Sequence, residues 1–185
     1  GSSCQDVATI MADDYQQLEG YVPEADLGLG CGLPTAFARI REGDTVIDLG
    51  SGAGNDLFVA RKKAGSEGRL IGVDFTPAMI ERARDNARRL GYENMEFLFG
   101  DIDQIPVESG MADIVLSNCV LNLVPDKRKV FAEIYRVLKP GAHFSISDIV
   151  LDGNLPDYLR KAAEMYAGCI SGAIPQREYL NIIGE

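Results

Sequence analysis

Between Val46 and Asp56 the sequence reads V-I-D-L-G-S-G-A-G-N-D, a run whose glycines and carboxylates are spaced for holding a ligand. Gly50, Gly52 and Gly54 let the backbone turn tightly and approach a bound molecule, with Ser51 between the first two. A helix expected to begin within two residues aims its free amides at the same place. Asn55 stands where a dinucleotide-binding fingerprint has its last glycine, and Asp48, two residues before the first glycine, would repel a pyrophosphate. The same carboxylate suits a cofactor that carries a sulfonium and a free amino group. Asp74 closes the next apolar run at the spacing of an acid that accepts hydrogen bonds from ribose hydroxyls. The stretch G-D-I-D places Gly100, Asp101 and Ile102 at the end of a third run, where Asp101 can accept from an adenine amino group. Phe75 and Met79 are placed either to line the ribose or adenine or to fill core. One such carboxylate alone would read as a solvated loop residue; three, each at a strand end, read as a binding site.

Four cysteines, Cys4, Cys31, Cys119 and Cys169, carry the remaining chemistry. No C-x-x-C pair occurs, which argues against a structural zinc knuckle, and a chain this long with few cysteines does not need a disulfide scaffold. Cys31 lies between two glycines and has little to pack against. Cys119 follows an apolar run in S-N-C-V-L-N-L-V-P-D-K, and Cys169 sits among small residues in Y-A-G-C-I-S-G-A. Spacing alone leaves each of them open to two readings, a small core side chain or a ligand. The single histidine, His143, in A-H-F-S-I-S, is assigned a structural role.

These residues need a scaffold, and from about residue 45 the periodicity alternates in the βαβ manner. Strands are predicted over 45–50, 69–74, 95–100, 112–118 and 143–151. Helices are predicted over 55–65, closed by Gly65, and over 76–91, with Thr76 as N-cap, Pro77 at the first helical position and Gly91 as C-cap. A third helix is predicted over 127–141, stopped by Pro140–Gly141. Strands alternating with helices imply a parallel sheet covered on both faces. We divide the chain into an N-terminal helical cap and cysteine loop (1–40), a Rossmann-like domain (41–155) and a two-helix extension carrying Cys169 (156–185). The acidic stretch M-A-D-D-Y-Q-Q-L-E-G-Y-V-P-E-A-D reads as a solvated, mobile face.

Bulk composition narrows the function further. At 185 residues the chain is one domain by length, and 46% apolar with 25% charged residues is ordinary for a globular protein. A net charge of −10 disfavours nucleic acid and anionic membranes as partners, because the field repels phosphate. No run approaches a membrane span. The first residues lack a basic stretch followed by an apolar core, so no secretory signal is expected and a cytoplasmic location is.

Taken together, G-L-G-C-G-L-P, D-L-G-S-G-A-G-N-D, G-V-D-F-T-P-A-M-I, S-N-C-V-L-N-L-V-P-D-K, E-I-Y-R-V-L-K-P-G, S-I-S-D-I-V-L and Y-A-G-C-I-S-G-A resemble the arsenite (As(III)) S-adenosylmethionine methyltransferases, from residue 4 nearly to the end. The cofactor motif is shared by many class I methyltransferases; the two cysteine motifs are far more specific. The resemblance implies an α/β, Rossmann-like class I sheet lacking its C-terminal strands, since the family continues past residue 185 into two antiparallel strands. It implies S-adenosylmethionine as cofactor, with Asp48, Gly50, Ser51, Gly52, Asn55, Asp74, Phe75, Met79, Gly100, Asp101, Ile102 and Asn118 around it. It also implies As(III) held by Cys31, Cys119 and Cys169, where soft thiolates suit a soft three-coordinate centre. Cys4 and Cys31 would return two electrons by closing a disulfide, reopened by thioredoxin or glutathione. A monomer is expected. Three rival readings are a methyltransferase of small organic molecules of the quinone or sterol type, a non-catalytic metalloid binder, and an NAD-dependent oxidoreductase, the last disfavoured by Asp48 and Asn55.

Overall fold

The computed structural model describes residues 15–28, 30–153 and 172–185. Five strands form one parallel sheet: β1 (Thr45–Leu49), β2 (Arg69–Asp74), β3 (Met95–Phe99), β4 (Ala112–Asn118) and β5 (Leu138–Ser147), in the order β3-β2-β1-β4-β5. Among the described residues the helices are α1 (Pro34–Phe37), α2 (Asn55–Ala64), α3 (Pro77–Arg89), α4 (Lys127–Val137) and α5 (Gln176–Gly184). Two 3-10 turns, Tyr15–Gln17 and Leu121–Leu123, complete the regular structure.

Successive strand residues point to opposite faces, and the core divides accordingly. Val46 and Leu70 join Leu57 and Phe58 of α2 and Ile80 and Ala83 of α3 on one face. Ile47, Leu49, Ile71 and Val73 join Val130 and Ile134 of α4 and Tyr179 and Ile182 of α5 on the other. Each of the larger apolar chains buried this way contributes about 1.5–3 kcal/mol relative to exposure. The sheet is thus covered on both faces, as the uninterrupted apolar strand runs require.

The first four strands fall within a residue of where the periodicity places them; the fifth and the helix before it do not. The helix expected to reach Pro140 ends at Val137, because Leu138 already pairs with Ala112 as the first residue of β5. That strand ends at Ser147, short of the expected residue 151. Asp126 starts the helix, its carboxylate accepting from the amides of Arg128 and Lys129. In α3, Thr76 occupies the N-cap without a side-chain bond, Leu90 takes the C-cap, and Gly91 follows in the left-handed region at φ +68°.

The region before β1 differs most from expectation. Among its described residues only a 3-10 turn and the four-residue α1 are helical, since Gly20, Pro23, Gly28, Gly30, Gly32 and Pro34 interrupt anything longer. Nor is it wholly a solvated face: Tyr15, Val22 and Ala25 are buried, and Arg82 of α3 donates to the Glu24 carbonyl. Of the two helices expected after residue 156, the second is α5; the first lies outside the described residues. No helix among the described residues is long and apolar enough to cross a membrane.

A single half-buried side chain fixes the loops at the far end of the sheet. Asn94 accepts from Arg61 Nε at 2.6 Å and donates to the carbonyls of Gly68 at 2.7 Å and Gly65 at 3.1 Å. It therefore ties the β3 entry to the α2–β2 turn. Asn94→Ala should lower stability by about 2 kcal/mol, since two carbonyls and a guanidinium lose partners together. The midpoint of urea unfolding measures this; a loss below about 0.5 kcal/mol would show that the loops hold without it.

Candidate active site

The carboxyl ends of the strands are where an open parallel sheet receives ligands. β1 leaves the sheet at Leu49, and the amides of Gly50 and Ser51 donate to the Val73 carbonyl at 2.8 and 3.1 Å. Gly50 has φ +69°, and a Cβ there would lie 2.5 Å from Val120 Cγ2. Only glycine lets this turn pass so close to the chain leaving β4. Asp74 is held by backbone on both sides of the turn: its Oδ2 accepts from Gly52 N–H at 2.9 Å and its Oδ1 from Thr76 N–H at 2.8 Å. Each oxygen keeps a further lone pair for a ligand.

Two recesses flank the turn. The larger, about 310 Å³, is lined by Gly50, Asp74, Phe75, Asp101, Ile102 and Val120, among others. The smaller, about 110 Å³, is lined by Asp48, Gly50, Ser51, Asn55, Asp56 and Asn118 together with Tyr15 and Gly30 from the N-terminal region. A roomier groove of about 920 Å³ runs along Arg69, Glu96 and the loop from Gly100 to Glu108, away from the glycine turn.

The smaller recess is acidic and has no basic side chain in its lining. Asp48 is 2% exposed, and no described residue donates a hydrogen bond to its carboxylate. Burial pushes its carboxyl well above the ordinary carboxylate range, and the neighbouring Asp56 and Asp74 push it further. Asp56 is raised to about 6 by burial, opposed by hydrogen bonds from Asn118 and Tyr15. Asn55 Oδ1 and Ser51 Oγ are buried without partners. Acceptors without a counter-charge suit a ligand bearing a cation and N–H donors, and repel a pyrophosphate. The residues present therefore fit the amino and sulfonium groups of S-adenosylmethionine. The larger recess, with Asp74, Asp101, Ile102 and Phe75, offers acceptors and apolar surface for a nucleoside.

The cysteines meet at the edge of these recesses. Cys31 and Cys119, 88 positions apart in sequence, are joined by a disulfide with 5.6 Å between their Cα atoms. Cys119 is 4% exposed and stands at φ +61°, a conformation costly for a residue with a Cβ and concentrated at functional sites. Its amide donates to the Ser147 carbonyl at 2.8 Å. The Cys31 amide donates to Asn118 Oδ1 at 2.9 Å, and Asn118 Nδ2 in turn reaches Tyr15 Oη, the Gly32 carbonyl and Asp56 Oδ2 at 2.6, 2.8 and 3.0 Å. Tyr15 Oη lies 2.9 Å from Asp56 Oδ1, and burial raises its hydroxyl far above the ordinary tyrosine value.

The placement of the remaining sequence-predicted residues is mixed. Gly100 donates its amide to the Asp74 carbonyl at 3.1 Å but faces the groove lined by Pro106. Met79 is half-buried on the first turn of α3 and lines neither recess. Asn118 is engaged by the cysteine loop as much as by the recess. His143 sets its Nε2 2.7 Å from the Ala38 carbonyl, a structural contact at the opposite end of the sheet. Cys4 and Cys169 lie outside the described residues, so the pairing shown for Cys31 is with Cys119, where the resemblance implied Cys4. No group of three or more potential metal ligands occurs among the described residues. The sequence does not single out Tyr15 or Asp56: Tyr15 lies in an acidic stretch, and the partners of Asp56 are 41 and 62 positions away.

The electrostatics carry a consequence for stability. Because burial raises the Asp48 and Asp56 carboxyls, the folded protein binds more protons than the unfolded chain between about pH 4, the ordinary carboxylate value, and the raised values, so stability falls as pH rises through that window. Asp48→Asn should therefore stabilise the ligand-free protein by about 1–3 kcal/mol at pH 7.5 and by much less at pH 4.5. Thermal unfolding at the two pH values measures it; a destabilised variant at pH 7.5 would show that Asp48 is already satisfied.

Over residues 40–185 the chain matches the family described as a methyltransferase domain. An arsenite methyltransferase of Halobacterium salinarum is 49% identical over 160 residues, covering 86% of this chain and 41% of that protein. Another, of Aquipseudomonas alcaligenes, is 36% identical over 181 residues, covering 94% of this chain and 52% of that protein. Among solved structures, an arsenic(III) S-adenosylmethionine methyltransferase from Chlamydomonas reinhardtii superposes with a TM-score of 0.78 at 37% identity, covering 96% of this chain and 60% of that one. The chain spans about half the length of the curated relatives it matches. The parallel sheet, the glycine turn after β1 and the match over most of the sequence agree: the chain belongs to the methyltransferase-domain family.

Proposed function

We propose that the protein methylates trivalent arsenic, arsenite and also methylarsenite, with S-adenosylmethionine as the methyl donor. The observation that carries this reading is the meeting of Cys31 and Cys119 beside an acidic recess without basic side chains at the carboxyl ends of β1 and β4. The arsenite methyltransferases among its relatives support it, and a quinone- or sterol-type methyltransferase has no need of the thiol pair.

Asp48 and Asn55 would hold the amino-acid end of the cofactor, Asp74 its ribose, and Phe75, Asp101 and Ile102 its adenine. When bound, S-adenosylmethionine supplies an electrophilic methyl group. The chain's own part is to bind and aim the substrate. Reduced Cys31 and Cys119 displace hydroxyls from arsenite, releasing water, and leave the arsenic lone pair as the nucleophile; Cys169 supplies the third thiolate on the family resemblance. The nucleophile has no proton to lose, so no general base is required and positioning carries most of the rate. Transfer takes arsenic formally from As(III) to As(V). Two cysteine thiolates return two electrons to it by closing a disulfide, which thioredoxin or glutathione reopens by exchange. The resemblance assigns this to Cys4 and Cys31, and the Cys31–Cys119 bond shows a second pairing within reach. The enzyme would act as a monomer in the reducing cytoplasm.

Mass spectrometry of arsenic species after incubation with arsenite, cofactor and thiol tests the reading. Cys31→Ser and Cys119→Ser should each lower arsenite methylation by about a hundredfold or more, the scale of a lost positioning contact. Unchanged turnover in either variant would end the thiolate mechanism. Methyl transfer to a quinone or sterol with arsenite inert would favour the rival.

A further inference from the structure

The proposed arsenic site needs two loops from distant parts of the chain to arrive together. Among its described residues the Cys31 loop has no strand beside β4, and its backbone is joined to β4 by the side chain of the residue preceding Cys119. We propose that Asn118 is a positioning residue that seats the Cys31 loop against Cys119 and so creates the dithiol; this rests on the arsenic reading above only for its use, not for its geometry.

Three observations carry it. The Asn118 carboxamide works in both directions, its oxygen accepting from Cys31 N–H at 2.9 Å and its nitrogen donating to the Gly32 carbonyl at 2.8 Å, so the loop is gripped on either side of the Cys31 side chain. The same nitrogen contacts Tyr15 Oη at 2.6 Å and Asp56 Oδ2 at 3.0 Å, which orient the amide from α2 and from the N-terminal region. The loop is seated at contact distance: a Cβ added at Gly30 would lie 3.0 Å from Asn118 Nδ2 and 3.4 Å from Tyr15 Cε2. A carboxamide donates and accepts from a single rigid plane; aspartate lacks the donor, and leucine of similar size lacks both.

Phenylarsine oxide tests this without methyl transfer. It closes on two neighbouring thiols, forming two As–S bonds and releasing one water, with no change in the oxidation state of arsenic or sulfur. In a Cys4→Ser, Cys169→Ser background, reduced and freed of reductant, the protein should capture one equivalent through Cys31 and Cys119. Adding Asn118→Ala should weaken capture about tenfold, the scale of one lost hydrogen-bonded anchor, and slow diamide-driven closure of the Cys31–Cys119 disulfide by a similar factor. Tyr15→Phe keeps the ring and removes only the hydroxyl, and should weaken capture by about threefold. It keeps the question answerable if Asn118→Ala unfolds, with the thermal midpoint as the control for folding. Capture and closure within twofold of the parent in both folded variants would overturn the proposal. Capture of phenylarsine oxide by this background, with the protein carrying all four cysteines failing to methylate arsenite, would sink the functional reading and leave this one standing. Arsenite turnover with capture insensitive to both substitutions would do the reverse.

Discussion

The parallel pairing of β1 with β4 is the constraint on which the site depends. Asp48 sits opposite Leu116 and Leu49 opposite Ser117, so the two strands leave the sheet side by side. The Gly50 turn and Val120, the residue after Cys119, then pass within contact of one another, and the missing Cβ of Gly50 is what lets them. A shift of one residue in this register would turn Asp48 to the opposite face and carry Cys119 away from the turn. The acid recess and the thiol pair are neighbours because two strands are in step.

The second feature is a balance between stability and binding. Burial, Asp56 and Asp74 all disfavour charge on Asp48, and Ser51 Oγ and Asn55 Oδ1 beside it are buried without partners. In the ligand-free protein this arrangement opposes folding, and the apolar layers on both faces of the sheet offset it. Such an uncompensated polar group is expected where a charged ligand completes the structure. The left-handed backbone at Cys119 belongs to the same pattern: a local cost kept where a side chain must point in one direction.

Much of this was legible in the sequence, for a physical reason. Strands buried on both faces announce themselves as short apolar runs, and a glycine turn flanked by carboxylates leaves a local signature, so β1 to β4, Asp48 and Asp74 could be found by inspection. The Val137 boundary could not, because Leu138 and Lys139 are as helical by propensity as their predecessors and only pairing with β4 ends the helix. Nor could the Tyr15–Asp56–Asn118 junction, whose members are separated by 41 and 62 positions and carry no local signal of their meeting. The Cys31–Cys119 contact was illegible for the same reason: spacing along the chain says nothing about which sulfur a loop will meet.

On the proposed function, sulfur from separate loops takes hold of arsenic beside the acidic recess. Arsenic K-edge absorption of the reduced protein loaded with one equivalent of arsenite tests it most directly. The account requires a first shell made of sulfur, with the oxygen neighbours of free arsenite lost. A shell still dominated by oxygen, in protein shown to be folded and fully reduced, would contradict it.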